Sequence, residues 1–204
     1  MPEYKLTYFN MMGRAEPARL IFAYAGVAFV DERIERRDWP NMKPNMPHGQ
    51  LPVLHVDGKR LAQSRTIERY LAKVFGLDGQ DEWETAKMDE LVSAVEDLLN
   101  HINPWFKEQD NAKKVEIFKA LCDSEILPFI ARFEALLLEN KTGYFVGDTL
   151  SYADLAIFHI FWFLNTKILP GSLRKYPKLH EFVERTAAIP RIKQWMAKRP
   201  RTEA

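Results

Sequence analysis

The sequence predicts two fold classes in series: an α/β domain over residues 2–79 and an all-helical domain over 81–204. Three features carry that expectation. Before residue 77 the apolar period switches between two and 3.6, which marks strands alternating with helices. After residue 82 only the helical period recurs. Between them lies Leu77-Asp78-Gly79-Gln80-Asp81-Glu82, a short polar stretch that reads as a linker.

In the first part, Leu6-Thr7-Tyr8-Phe9 reads as a strand and Met11-Met12-Gly13 as a turn. A helix follows from Arg14, with Ala18, Ile21, Phe22 and Ala25 on one face. Pro17 stands early, where its missing N–H costs little, and Gly26 follows as the C′ residue. Val27-Ala28-Phe29-Val30 reads as a second strand. Residues 39–50 hold three prolines and a glycine, which predicts a structured loop. Two strands, Pro52–Val56 and Lys59–Ala62, flank Asp57-Gly58, a pair suited to the positive φ angles of a type I′ hairpin. A helix with Ile67, Tyr70, Leu71, Val74 and Phe75 on one face ends at Gly76. The order is β-α-β, long loop, β-β-α.

In the second part, Met88, Leu91, Val92, Val95, Leu98, Leu99 and Ile102 form a helical stripe that Asn103-Pro104 should end. A long helix over 113–139 should kink or break at Pro128. The next helix, 151–166, opens with Ser151 as N-cap, Asp154 at N3, and Leu150 and Leu155 at the staple positions. Helices near 177–187 and 190–198 complete the pattern.

The 204 residues are 47% hydrophobic and 28% charged, a globular composition that excludes a disordered or fibrous chain. The net charge of +1 gives no electrostatic reason to bind nucleic acid or an anionic membrane surface. Residues 1–80 carry 12 basic and 9 acidic side chains, compatible with a small anionic ligand there. The longest apolar run, Leu155–Leu164, is interrupted by His159 and falls short of the ~18–20 residues of a membrane helix. One cysteine, Cys122, permits no intrachain disulfide. The opening MPEYKLTYFN lacks a signal peptide's apolar core, so a soluble cytoplasmic protein is expected. The five histidines lack metal-ligand spacing, and no metal is expected.

The β-α-β, β-β-α order is that of the thioredoxin-like fold, whose chemistry sits where the first strand meets the first helix. A redox member needs Cys-x-x-Cys there. This chain has Tyr8-Phe9-Asn10-Met11-Met12-Gly13-Arg14 instead, so its own thiols perform no disulfide exchange there. A tyrosine at that place supplies a phenol, which can stabilise a bound thiolate by hydrogen bonding.

These residues also carry a family resemblance. Tyr4–Asn10, Gly13-Arg14-Ala15-Glu16, Asp38-Trp39-Pro40, Gly49-Gln50-Leu51-Pro52-Val53-Leu54, Gln63-Ser64 with Ile67 and Tyr70-Leu71, and Gly147-Asp148 through Asp154 together resemble a cytosolic glutathione transferase. The similarity is greatest to the sigma class, which includes glutathione-dependent prostaglandin D synthases, and it extends over residues 2–200. It implies a glutathione transferase fold, glutathione as co-substrate and a homodimer.

The resemblance also assigns residues. Tyr8 would donate its O–H to the glutathione sulfur, and Arg14 would lie beside the thiolate. A core tyrosine and a solvated arginine are the ordinary alternatives. Leu51-Pro52 corresponds to a cis-proline site that offers the Leu51 backbone to the cysteinyl part of the tripeptide. Gln63 and Ser64, at a helix start, would take the γ-glutamyl carboxylate, with Ser64 also a fair N-cap. Trp39, Lys43 and Gln50 surround the ligand, Trp39 and Lys43 at its glycine end, and Gly49 leaves room for the backbone to approach. Asp97 would reach across the dimer to the partner's ligand. Glu96-Asp97 resembles part of an intersubunit cation site in some relatives, but an acidic pair on a helix is ordinarily solvated. Phe9, Met11, Leu99, Trp105 and Ile160 would line the hydrophobic substrate site, although each also suits core packing. Asn103-Pro104-Trp105 resembles the prostaglandin synthase pattern displaced by one residue.

The activity implied is conjugation of the glutathione thiolate to hydrophobic electrophiles. Lowering a thiol from about 8.5 by ~2 units asks roughly 3 kcal/mol of the site. Two alternatives stand beside it: a glutathione-dependent prostaglandin isomerase or organic peroxidase, and a non-catalytic crystallin-like or hydrophobic-ligand-binding protein.

Overall fold

A computed structural model describes residues 2–202 of the chain. They form two compact units. One runs to Asp78 and also takes in the chain from Ala187 onward; the other spans Gly79–Thr186. One boundary between the units thus falls in the polar stretch, between Asp78 and Gly79, and the last helix belongs to the first unit. The reason is a set of buried contacts. The Trp195 indole N–H and Arg199 Nη1 both donate to Glu16 Oε1, at 2.8 and 2.6 Å.

In the first unit, β1 (Tyr4–Phe9), β2 (Val30–Ile34), β3 (Val53–Val56) and β4 (Lys59–Ala62) make one mixed sheet ordered β2-β1-β3-β4. β1 and β2 are parallel; β3 runs antiparallel to β1 and β4 to β3. The period-two alternation puts Tyr4, Leu6 and Tyr8 on one face. There Tyr4 meets Phe22 of α1 (Glu16–Ala25) and Phe75 of α3 (Ser64–Phe75), at ring distances of 5.3 and 5.8 Å. A four-residue helix, α2 (Trp39–Met42), and two 3₁₀ turns fill the breaker-rich segment.

α1 ends in a Schellman arrangement: Gly26 at φ 71° donates to Ala23 O, and Val27 N–H to Phe22 O. Val27 thus completes the helix, and the second strand starts at Val30 rather than Val27. Its acids are held by Arg19 on α1 and Arg33 on the same strand, both bonded to Asp31, and by Lys5 and Thr7 of β1, both bonded to Glu32. Asp57 and Gly58, at φ 47° and 80°, form the hairpin turn the pair predicts.

The second unit contains α4 (Glu82–Lys107), α5 (Asn111–Leu121), α6 (Leu127–Asn140), α7 (Tyr152–Phe163) and most of α8 (Pro177–Ala188). The closing helix of the first unit is α9 (Pro190–Lys198). α4 runs through Pro104 instead of ending there; proline removes one donor in the last turn, and Glu108 N–H still bonds Pro104 O. The break expected at Pro128 is a π turn over Cys122–Ile126, which leaves Pro128 in the first turn of α6. α7 is buried on nearly all sides, Trp162 excepted. Phe161 packs with Phe129 and Phe133, and Phe133 in turn with Phe145. Among the described residues no helix is long and apolar enough to cross a membrane.

The capping box of α7 forms as its sequence predicts. Ser151 Oγ accepts from Asp154 N–H, and Asp154 Oδ2 accepts from Ser151 N–H at 2.8 Å. Asp154 Oδ1 also takes Phe145 N–H at 3.0 Å, fastening the preceding loop. Leu150 and Leu155 are both buried. Burial pushes Asp154 up to about 6, against the hydrogen bonds from Ser151 and Phe145 that lower it. The folded chain therefore holds this proton where the unfolded chain has released it. Stability from this group is full below about pH 4 and lost as pH rises through about 6. Asp154→Ala, which orphans three donors, should cost on the order of 3 kcal/mol in urea unfolding. Against Asp154→Asn, wild type should lose relative stability between about pH 4 and 7; a gap that stays flat or moves the other way contradicts this assignment.

Candidate active site

The first strand delivers Tyr8 to the mouth of the first helix. Tyr8 is 6% exposed, with its ring packed edge-on against Phe9. Its hydroxyl oxygen accepts the Arg14 backbone N–H at 3.2 Å. That contact needs Gly13: at φ 43° the chain passes so close that a Cβ there would stand 2.8 Å from Tyr8 Oη. With one lone pair engaged, the phenol is oriented to donate its proton elsewhere. Burial pushes the Tyr8 phenol above its usual value, opposed by the Arg14 N–H and the charges of Arg14, Arg19 and Arg36. The net rise keeps the phenol protonated at neutral pH, a donor rather than a base.

Arg14 is half-buried. Burial and Arg65 depress its pKa while Tyr8 and Glu68 raise it, and the guanidinium stays charged. Glu68 is fully buried on α3, and Arg65 Nη1 donates to both its oxygens at 2.9 and 2.7 Å.

A second group gathers where β3, β4 and α3 meet. The Leu51-Pro52 peptide is cis. The β1–β3 ladder ends at Thr7↔Val53, so Leu51 lies beyond its last pair. Gln63 sits at φ 71°, ψ 114°, an uncommon conformation for a residue with a side chain. It is the N-cap of α3, and Ser64 is the first helical residue, not the cap. No side chain caps this helix, which leaves its first amides open to an anion. Gln63 Nε2 donates to Gln50 Oε1 at 3.4 Å.

The 39–50 segment brings a third group. The Trp39 and Phe9 rings meet at 5.4 Å, and Lys43 is exposed. Gly49 is at φ 56°, with the Lys43 stem at ordinary contact distance. Its requirement is the backbone conformation rather than added space.

In the helical unit, Asp97 is exposed on α4 and Leu99 half-buried. Trp105 packs with Phe106 and Phe118, and Lys114 Nζ stands 5.5 Å from its ring centre. Ile160 is 1% exposed in the α7 core, so it packs as interior rather than presenting a surface to a ligand.

Sequence reasoning passed over Gly13 as a contact of Tyr8, and with it Arg19. Arg19 is fully buried at the helix start. Its signal was present: a charged residue three before Phe22, on the apolar side of α1, with Glu16 three before it.

Residues 4–73 match the family model described as glutathione S-transferase, N-terminal domain, and residues 96–199 that of glutathione S-transferase, C-terminal domain. The chain is 39% identical over 210 residues to a glutathione S-transferase 1 of Ascaris suum, covering 99% of each. It is 37% identical over 206 residues to a hematopoietic prostaglandin D synthase of Gallus gallus, again over 99% of each. A solved structure of a prostaglandin synthase D of Nilaparvata lugens superposes with a TM-score of 0.89 at 39% identity, covering 98% of this chain and 100% of that one.

The Gly13 contact is directly testable. Gly13→Ala should destabilise by roughly 1–3 kcal/mol, because alanine is strained at positive φ and collides with the phenol. It should also push the Tyr8 phenol further up by removing the Arg14 N–H, read by ultraviolet titration against Tyr8→Phe. An unchanged phenol titration would show that the N–H contact does not tune Tyr8.

Proposed function

The chain belongs to the glutathione S-transferase family, and on that premise we propose that Tyr8 activates the thiol of bound glutathione for attack on hydrophobic electrophiles. The observation that carries this reading is the buried, neutral phenol whose oxygen already accepts the Arg14 N–H, leaving its proton to donate. A hydrogen bond to the charged form lowers a thiol pKa, and the nearby Arg14 charge acts in the same direction. Holding thiolate and electrophile together adds proximity.

Glutathione is the co-substrate, and the reading assigns no metal to the reaction. The open N-terminus of α3, with Gln63, Ser64 and Gln50, takes the γ-glutamyl carboxylate. The Leu51 backbone before Pro52 takes the cysteinyl amide groups. Trp39 and Lys43 take the glycine end, and Gly49 supplies the turn that positions them. Phe9, Met11, Leu99 and Trp105 are the candidates for contact with the apolar substrate. The protein works as a cytoplasmic homodimer in which the exposed Asp97 reaches the partner's ligand.

A second reading is favoured by the prostaglandin D synthases among its relatives: the same thiolate attacks one peroxide oxygen, forming an S–O bond as the O–O bond breaks and the other oxygen leaves as an alkoxide that takes up a proton. Loss of the neighbouring C–H proton with expulsion of the glutathione thiolate then gives the ketone of an isomerase, whereas attack by a second glutathione thiol on that sulfur gives glutathione disulfide and the reduced oxygen of a peroxidase. Product analysis with purified protein, glutathione and prostaglandin H distinguishes the two, a D or E prostaglandin supporting the second.

Tyr8→Phe tests the central assignment. The thiol of bound glutathione should titrate ~2 units higher, and conjugation at pH 7 should fall roughly 10–100-fold. The defect should shrink as pH rises past about 9, where glutathione ionises unaided. An unchanged thiolate titration and an unchanged rate defeat the assignment.

A further inference from the structure

We propose that Arg19 is a positioning residue for Tyr8, acting through the Met11–Met12 carbonyls on the turn that carries the Arg14 N–H, with Glu16 and Trp195 extending the same restraint to α9. The proposal rests on the thiol-activating role of Tyr8.

The geometry is specific. Arg19 Nη1 donates to Met11 O at 2.8 Å, Met12 O at 3.3 Å and Glu16 Oε2 at 3.2 Å. Its Nε donates to Asp31 Oδ1 at 2.8 Å. One guanidinium therefore fixes the two residues before Gly13 against both α1 and β2. Glu16 is held from its other oxygen by the Trp195 indole and Arg199. All of these groups lie in the first unit.

The contact they position has little slack. The Arg14 N–H reaches Tyr8 Oη at 3.2 Å, at the long end of the hydrogen-bond range, so a shift of a few tenths of an ångström removes it. A phenol that accepts one hydrogen bond donates a stronger one, because chains of hydrogen bonds polarise each other. Losing the N–H therefore weakens the donation to sulfur without touching the ligand. Direct electrostatics contributes less. The Arg19 guanidinium carbon is 5.9 Å from the Tyr8 ring centre, but the Glu16 and Asp31 carboxylates offset its charge.

Lysine keeps the charge but lacks the planar fork that serves these acceptors together, so Arg19→Lys isolates geometry from charge. Trp195→Phe is a milder second variant that deletes one donor to Glu16 and keeps an aromatic ring. The measurement is the pH dependence of the ultraviolet thiolate absorbance of bound glutathione in wild type, Tyr8→Phe, Arg19→Lys and Trp195→Phe. This readout belongs to the folded fraction, so simple loss of stability does not move it. Arg19→Lys should raise the bound-thiol pKa by about one unit, about threefold less thiolate at pH 7, and Trp195→Phe should shift it the same way by less. If Tyr8→Phe raises the value while the folded Arg19→Lys and Trp195→Phe proteins titrate as wild type, Arg19 is merely structural and the proposal fails. If Arg19→Lys does not fold, Trp195→Phe decides alone. If Tyr8→Phe itself titrates as wild type, the thiol-activation reading falls, and this proposal with it.

Discussion

Arg19 carries a full positive charge into the interior of the first unit, where its Nε and Nη1 tie three segments together while its Nη2 is buried without a hydrogen-bond partner. Its fork draws together the turn after β1, the start of α1 and the edge strand β2. A buried ion pair gives little net stability, since desolvation offsets attraction. Losing one partner, however, leaves a bare charge in a low-dielectric interior, so alternative packings of these segments are strongly disfavoured. The turn after β1 is thereby placed more sharply than apolar packing alone would place it. The same Glu16 that balances Arg19 binds α9, which explains why the last helix joins the first unit despite more than a hundred intervening residues.

Around this core the site divides its work by element. The strand-to-helix turn holds the phenol and an N–H aimed at its oxygen. The junction of β4 with α3 exposes uncapped amides behind a strained Gln63. The cis Leu51-Pro52 step leaves backbone groups beyond the sheet ladder. Each sits where regular structure ends, where unsatisfied backbone groups and unusual dihedral angles are available. The sequence of a glutathione S-transferase is legible there because those same constraints demand particular residues: glycine at 13, proline at 52 and the Gln63-Ser64 pair at the start of α3.

What the sequence reveals follows from how local the physics is. The Asp57-Gly58 hairpin, the Gly26 helix end and the Ser151–Asp154 cap are decided within six residues, and each forms as read. β2 lies at Val30–Ile34 rather than Val27–Val30 because Asp31, Glu32 and Arg33 look solvent-bound in sequence until Arg19, Lys5 and Thr7 are in position. The π turn at Cys122–Ile126 replaced a simple proline break because the helix could shift its hydrogen bonding before the obstacle. The apolar character of Ile160 suits a ligand surface and an interior alike, and in α7, buried but for Trp162, it is interior. Tyr8 and Arg14 are candidates that the sequence alone offers. The N–H that joins them is not, because it is a backbone group whose direction depends on Gly13 and Arg19.

The central claim is that Tyr8 works as a neutral donor, held by the Arg14 N–H and aimed at the thiol. A crystal structure of the glutathione complex tests it most directly. The account predicts the glutathione sulfur within hydrogen-bond reach of Tyr8 Oη, with the Arg14 N–H still on that oxygen. A sulfur seated on a different donor, with Tyr8 Oη turned away from it, would contradict the account.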